Sequence, residues 1–297
     1  MALVVDVSRR SQSTTSRGQS LPSTPAAPAT ATEAGEAVVE EYPYGLGPPD
    51  GILALRYPPV GTITDFPESR NDFVHQLFWS PDGVLAVDRG GATAFAGPEQ
   101  AVWVKRGAVA EVTALDVQTV VRLCVRRAPA ELTGRAATVL ALSDAAAAAA
   151  ARLVQRTTDE STGLAARREL LAELAASPAD PLTYGGAAPG PVRTITRALA
   201  IDPADATSLQ EWAQRLHVST KTLQREFDRV HATSFSTWRT RTRLQASRAM
   251  LHRWSVAETA HRVGYATASA YVAAFTREYG ESPGRSLRGG TATRRPA

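Results

Sequence analysis

Lys221, Gln224, Arg225 and Asp228 form the group of side chains in this sequence best suited to recognition chemistry. They stand at i, i+3, i+4 and i+7, so on an α-helix they share one face, while Leu223, Phe227 and Val230 share the opposite one. A Gln amide matches the paired acceptor and donor of adenine in the DNA major groove, and the Arg fork matches guanine. An ordinary solvated helix face has the same pattern, so its surroundings decide between the two. Ser219 reads as the N-cap of this helix. With Thr220 and Thr222 it suits phosphate oxygens, because backbone N–H groups point outward at a helix start.

The surrounding sequence holds one helical unit written twice. Ser208-Leu-Gln-Glu211 opens a helix bearing Leu209, Trp212, Ala213 and Leu216, and a turn leads to the helix of Leu223 and Phe227. Ser255-Val-Ala-Glu258 opens a helix bearing Val256, Ala260 and Val263, and Gly264-Tyr265 leads to the helix of Tyr271 and Phe275. Each opening is a capping box, in which Ser accepts from a backbone N–H three residues on and Glu reaches back. The offset is 47 residues up to the turn and 48 after it, the mark of two helix-turn-helix units. That context favours DNA reading for the first face.

Shifting the reading face by 48 residues gives Ser269, Val272, Ala273 and Thr276, of which only two can hydrogen-bond through a side chain. The second head is therefore expected to work through methyl contacts, phosphate contacts or DNA shape, with Thr267 and Ser269 near phosphate. Between the heads, Trp238 to Leu251 predicts one helix of about 21 Å, able to hold two recognition helices about one duplex turn, roughly 34 Å, apart. Arg239, Arg241, Arg243 and Arg248 on it are candidate DNA-backbone contacts. Salt bridges with Glu211, Glu258 or Asp228 are the alternative for at least one of them. Trp212, Trp238 and Trp254 are expected in the core.

Other chemistry is sparse. No nucleophile motif, P-loop or dinucleotide fingerprint is present, and Asp82, Asp88, Glu99, Glu111 and Asp116 lack the spacing of an acid–base pair. One cysteine, Cys124, excludes an intrachain disulfide framework and reads as a small buried hydrophobe in a strand. Neither an enzyme nor a bound cofactor or metal is expected. Residues 200–297 hold 15 Lys and Arg against 8 Asp and Glu, a net +7, whereas residues 1–199 carry a net −3, so the C-terminal part should meet an anion. The opening Met-Ala-Leu-Val-Val-Asp-Val is too short for a signal peptide, and no later run approaches a membrane span. A cytoplasmic protein is expected.

Residues 1 to about 36 are rich in Ser, Thr, Pro, Ala and Gln, which predicts a disordered tail, extended here to residue 45, with Arg9, Arg10 and Arg17 solvated. From Ile52 to Arg126, short apolar or alternating runs predict strands at Gly61–Thr64, Phe73–Trp79, Val84–Asp88, Ala101–Val104, Val109–Ala114 and Thr119–Val125. Their spacing predicts an all-β barrel or sandwich over 46–130, which either encloses a small ligand or is a packed core that only dimerises. His75, the one histidine of this region, and Trp103 are candidate lining residues of an effector pocket. Residues 131–177 predict a helical extension starting at Ser143-Asp144, with Leu164, Leu171 and Leu174 on one stripe and Leu170 beside it. That stripe can pack on its own barrel or on a twin chain. Residues 178–191 read as a Pro- and Gly-rich linker, and a helical domain occupies 192–290. In it lie the first unit at 208–230, the linking helix at 236–252 and the second unit at 255–279.

At this level of detail the C-terminal part resembles the AraC/XylS family of bacterial transcription regulators. The likeness rests on Leu209 to Ala213, Val218-Ser219, Leu223-Gln-Arg225-Glu-Phe227, Ser234-Phe235, Trp238-Arg239, Arg243-Leu244, Val256 to Ala260, Gly264-Tyr265, Phe275 and Gly280-Glu-Ser-Pro283. His75-Gln-Leu77, Gly83 to Val87 and Ala101 to Val104 more loosely resemble the cupin-like, jelly-roll N-terminal domain of many members. The resemblance implies a nucleoid-associated regulator of operator DNA, working with RNA polymerase, whose β-barrel senses a small-molecule effector or forms a homodimer. The alternative is a metal-dependent cupin enzyme fused to a DNA-binding module. Metal-type cupins carry His-x-His and a later His on the barrel wall; here His75 stands alone and Ala110 occupies a position often held by His. Members often carry Arg where Ala273 stands, which fits a weakly base-specific second head. His217 and Ala232 replace frequent glycines of the family, so left-handed backbone is expected there, tolerable for His and costly for Ala.

Overall fold

The computed structural model describes residues 39–45, 47, 49–59, 65–182 and 190–292. Arg9, Arg10 and Arg17, the expected strand at Gly61–Thr64 and the middle of the expected linker lie outside the described residues.

Two antiparallel sheets pack face to face. The larger contains β1 (Glu40–Tyr44), β2 (Ile52–Tyr57), β4 (His75–Trp79), β7 (Gln100–Val104), β9 (Val120–Val125), β10 (Ala137–Ala141) and β11 (Ala179–Pro181), in the order β1-β2-β9-β4-β7-β10-β11. The smaller contains β3 (Asp65–Arg70), β5 (Leu85–Arg89), β6 (Ala92–Ala96) and β8 (Val109–Ala114), in the order β3-β8-β5-β6. Leu55, Phe78, Val102 and Val139 of the first sheet meet Phe66, Leu85, Val87 and Val112 of the second in one core. The outer face of the larger sheet is covered as well, by α1 (Ala130–Thr133), α2 (Asp144–Arg152) and α3 (Glu160–Ala176). Both faces of β4 are therefore buried, with Gln76 and Phe78 toward the smaller sheet and Leu77 and Trp79 toward the helices.

Five of the six expected strands are present, each within two residues of its expected ends. The additional strands correct the expected organisation. β1 lies inside the stretch expected to be a disordered tail, β10 inside the expected helical extension, and β11 inside the expected linker. Four of the six strands missed from sequence, β1, β3, β6 and β11, are sheet edges. Edge strands pair on one side only and so tolerate Pro43, Pro67 and Pro181 and polar residues, which removes the alternating apolar signal.

The expected helical run from Ser143 is broken at Leu153–Asp159, and each half has its own cap. Ser143 Oγ accepts from the Ala146 N–H at 3.0 Å, and Asp159 accepts from the Thr162 N–H at 2.9 Å. Leu170, Leu171 and Leu174 of α3 join the core of Ile52, Leu77 and Trp103. The stripe packs on its own domain. Gly163 meets Tyr44 of β1 so closely that a Cβ would lie 2.2 Å from its ring, while the Tyr44 hydroxyl donates to the Leu153 carbonyl at 3.2 Å.

The C-terminal part comprises α4 (Pro191–Ile201), α5 (Leu209–Arg215), α6 (Thr220–His231), α7 (Phe235–Met250), α8 (Val256–Arg262), α9 (Ala268–Tyr279) and α10 (Pro283–Ala292). Ile195, Leu199, Trp212, Leu223, Phe227 and Phe235 make one small core. Leu244, Met250, Ala260, Val263, Tyr271 and Phe275 make a second, and Val84, Ala86 and Phe95 from the smaller sheet enter it. The helical domain thereby closes the outer face of that sheet. Ion pairs line the junction: Glu111 with Arg197 (2.5 Å), Asp116 with Arg262 (2.8 Å) and Asp88 with Arg193 (3.8 Å); His252 Nδ1 stands 3.5 Å from the Glu99 carboxylate beside them.

Candidate nucleic-acid interface

Both units are built by the same local devices. Ser208 Oγ accepts from the Glu211 N–H (3.2 Å) and the Glu211 carboxylate accepts from the Ser208 N–H (2.7 Å). Ser255 and Glu258 repeat this at 3.3 and 3.0 Å. The hydrogen bonds from Ser208 and Ser255 hold both carboxyls below the usual range. Ser219 caps α6 by accepting from the Thr222 N–H at 3.0 Å, and Thr267 caps α9 by accepting from the Ala270 N–H at 3.2 Å. Leu223 and Phe227 on α6, and Tyr271 and Phe275 on α9, are fully buried, which fixes the opposite face of each helix toward solvent.

Lys221, Gln224, Arg225 and Asp228 are all exposed, as are Ser219, Thr220 and Thr222 around the start of α6. Among the described residues none of those four side chains makes a hydrogen bond or ion pair, so each keeps its full capacity for an external partner. On α9, Ser269, Ala273 and Thr276 are exposed and Thr267 stands at the tip. Val272 departs from expectation: it is half-buried and packs on the second helical core, so the open face of α9 is narrower than that of α6. Arg229 and Arg277, overlooked in the sequence, are exposed at matching places of α6 and α9. The same shift of 48 residues identifies them, because no other charged residue recurs between the two recognition helices.

The arginines of α7 divide. Arg243 donates to the carbonyls of Pro203 (2.8 Å), Asp205 (3.0 Å) and Ala204 (3.3 Å), and reaches that of Gly264 (3.5 Å), so it ties the α4–α5 loop to the second turn. Arg239 donates to the Thr207 carbonyl at 3.1 Å and lies over the Phe235 ring. Arg248 lies over the Tyr279 ring. Arg241 is exposed and pairs with Glu278 of α9 at 3.4 Å, not with Glu211, Glu258 or Asp228. Two of those three carboxylates are already engaged in the capping boxes.

Both turns use left-handed backbone at the positions expected. His217 has φ 54° and Ala232 φ 51°, where the second copy has Gly264 at 81° and Gly280 at 75°.

The residues proposed to line an effector pocket lie elsewhere than expected. His75 and Trp103 stack at 5.3 Å between ring centroids, but on the helix-covered face of the larger sheet, because alternation along β4 sends Gln76 and Phe78 inward instead. The sandwich interior keeps a cavity of about 80 Å³ lined by Phe66, Gln76, Phe78, Ala110 and Arg122. Arg122 donates to Gln76 Oε1 at 3.1 Å and sits near the Phe66 and Phe78 rings. A guanidinium among aromatic rings disfavours a cation, and His75 is not there to ligate one. Cys124 lies in β9, and burial pushes its thiol pKa up.

A family model described as a helix-turn-helix domain matches residues 212–289. The chain is 39% identical over 97 residues to the HTH-type transcriptional regulator RipA of Corynebacterium glutamicum, covering 32% of this chain and 29% of that protein. RipA of Corynebacterium diphtheriae is 33% identical over 96 residues, with the same 32% and 29% coverage. The chain thus spans under a third of the length of these curated relatives. The C-terminal domain of AraT, a response regulator from Geobacillus stearothermophilus, is 26% identical over 37% of this chain and 89% of that one, at a TM-score of 0.32, too low to bear on the fold.

Proposed function

We propose, from the premise that residues 212–289 lie in an AraC-type helix-turn-helix domain, that this protein is a sequence-specific double-stranded-DNA-binding transcription regulator. The observation that carries the reading is the exposed, unpartnered row Lys221, Gln224, Arg225 and Asp228 on a capped helix whose other face is locked into a core. Gln224 and Arg225 supply the bidentate donors and acceptors that distinguish base pairs in the major groove, with Lys221 and Asp228 at either end of the row. Ser269, Ala273 and Thr276 offer no bidentate pair, so α9 acts as an anchor that reads methyl groups, phosphate or shape. Arg229 and Arg277 add a cation for phosphate at the same place on each head.

The β domain is read as the part that senses a small molecule or joins two copies. Its interior supports a large ligand poorly, since about 80 Å³ is far below the roughly 300 Å³ at which ligand pockets begin. A metal-dependent cupin enzyme is the weaker reading, because the described residues lining the interior cavity include no histidine or carboxylate and do include the Arg122 cation.

Mapping bound DNA across a genome, then footprinting the sites, tests the regulator reading. A defined motif is expected, contacted over one α6-wide block whose sequence preference relaxes in Arg225→Ala. Equal loss on operator and random DNA in that variant would count against base reading by α6.

A further inference from the structure

The larger sheet brings three chain segments together at one end. β4 begins at His75, flanked by β9, which ends at Val125 opposite His75, and by β7, which ends at Val104 opposite Gln76. The residues that follow those two strand ends, Arg106 on one side and Arg126 and Arg127 on the other, therefore stand on either side of the His75 ring. With Thr133 of α1 they line an open groove of about 350 Å³. It lies on the helix-covered side of the sheet, apart from the sandwich interior.

His75 is 2% exposed, and its orientation is set from two sides. Its ring stacks on Trp103 with planes 15° apart, and Nδ1 accepts from the Arg106 backbone N–H at 3.2 Å. An accepting Nδ1 leaves the proton on Nε2, a donor with no hydrogen-bond partner among the described residues. Burial, with Arg106 and Lys105 beside it, lowers the pKa of the ring and keeps it in this neutral, donating form.

The charge around this donor is positive. Arg106 has no ion pair among the described residues, and its loop is held by a 2.6 Å hydrogen bond from the Gly107 N–H to the Asn71 carbonyl. Arg127 is 66% exposed and pairs with Asp50 at 3.6 Å, while Arg167 donates to the Arg127 carbonyl at 2.8 Å. Asp50 and Asp72, which lies beside Gly107, are the nearby carboxylates. His75 Nε2 and the Arg106 guanidinium, which have no acceptor among the described residues, call for an acceptor-only ligand, and guanidinium groups fit the paired oxygens of a carboxylate or phosphate.

We propose that the groove of His75, Arg106 and Arg127 binds a small anion through a carboxylate or phosphate group, with the His75 Nε2–H as the buried donor. This site does not depend on how, or whether, the helical domain reads DNA.

The test titrates the full chain with inorganic phosphate and, separately, acetate at constant ionic strength, following the His75 imidazole nitrogen resonances by NMR; the chain has five histidines. At least one anion is expected to shift the His75 Nε2 signal saturably, phosphate alone indicating a phosphoryl ligand and acetate a carboxylate. In Arg106→Ala the same shift should need about tenfold more anion. In Arg225→Ala, which removes a cation from the DNA-reading face, the titration should be unchanged. No saturable shift with either anion, equal affinity in Arg106→Ala, or loss of the shift in Arg225→Ala would each overturn the proposal. Because Arg106 is exposed, its substitution leaves the fold intact and keeps the result interpretable.

Discussion

Arg225 and Arg241 are both exposed, yet they should behave differently toward DNA. Arg225 stands free on the recognition face, so Arg225→Ala should lose about 1–3 kcal/mol selectively, at one operator position. Arg241 is shared with Glu278 at 3.4 Å, so Arg241→Ala should weaken binding to all sequences to a small degree. Glu278→Ala should do the opposite, since it frees that cation; gel-shift titrations on operator and random DNA at two salt concentrations separate these outcomes. His231 carries a further residue-scale prediction. It packs among Phe227 and Trp238, and burial holds its pKa below the ordinary 6.5. The unfolded chain then takes up a proton that the folded one resists, so stability is full above about pH 6.5 and falls as pH drops through the folded pKa. Melting temperatures between pH 7.5 and 5.5 should fall, and His231→Phe should flatten part of that dependence.

At the scale of elements, the two copies open on the same Ser–Glu capping box but have unequal turns. Ala232 at φ 51° carries a Cβ where Gly280 has none, a conformation that costs an L-residue roughly 1–2 kcal/mol. Ala232→Gly should therefore stabilise the domain by about 0.5–1 kcal/mol after the extra chain entropy of glycine is subtracted, measurable by urea denaturation. The contact of α3 with β1 predicts the reverse for Gly163. Its added methyl would meet the Tyr44 ring at 2.2 Å, so Gly163→Ala should destabilise by about 1–3 kcal/mol in the same assay. The positive φ values at His217 and Ala232 were legible through the resemblance, which places frequent glycines at those positions, and the second copy has Gly264 and Gly280 at the matching places. The edge strands were not legible, because an edge is defined by which neighbour is missing, and neighbours are long-range facts.

Across the whole molecule the uneven charge has a second use. Part of the positive charge that sequence assigned to an external anion is spent on the protein itself, since Arg262 pairs with Asp116 across the domain junction. Glu111 is 6% exposed at its side chain and depends on Arg197 as partner. Arg197→Ala should cost about 1–3 kcal/mol, because it strands a buried carboxylate while the half-exposed Arg197 itself has access to water. Glu111→Gln added to Arg197→Ala should recover much of that loss, and chemical denaturation of the two variants measures it. The junction also encloses a cavity of about 400 Å³ between Gln100 and Thr93 on one side and Gln245, Arg248 and Tyr279 on the other.

The sequence by itself determined the helical domain. Its caps and its 3.6-residue periodicity are set within a few residues and recur at an offset of 47 to 48, so they read directly from the chain, and with them the solvent side of α6. Tertiary structure alone decided that α3 covers its own sheet, that Val272 turns toward a core and that Arg239 and Arg243 clamp carbonyls. It also decided that His75 faces a basic groove outside the sandwich. Each of these depends on which strand or helix lies alongside, and a one-residue change of strand face reverses every side chain on it.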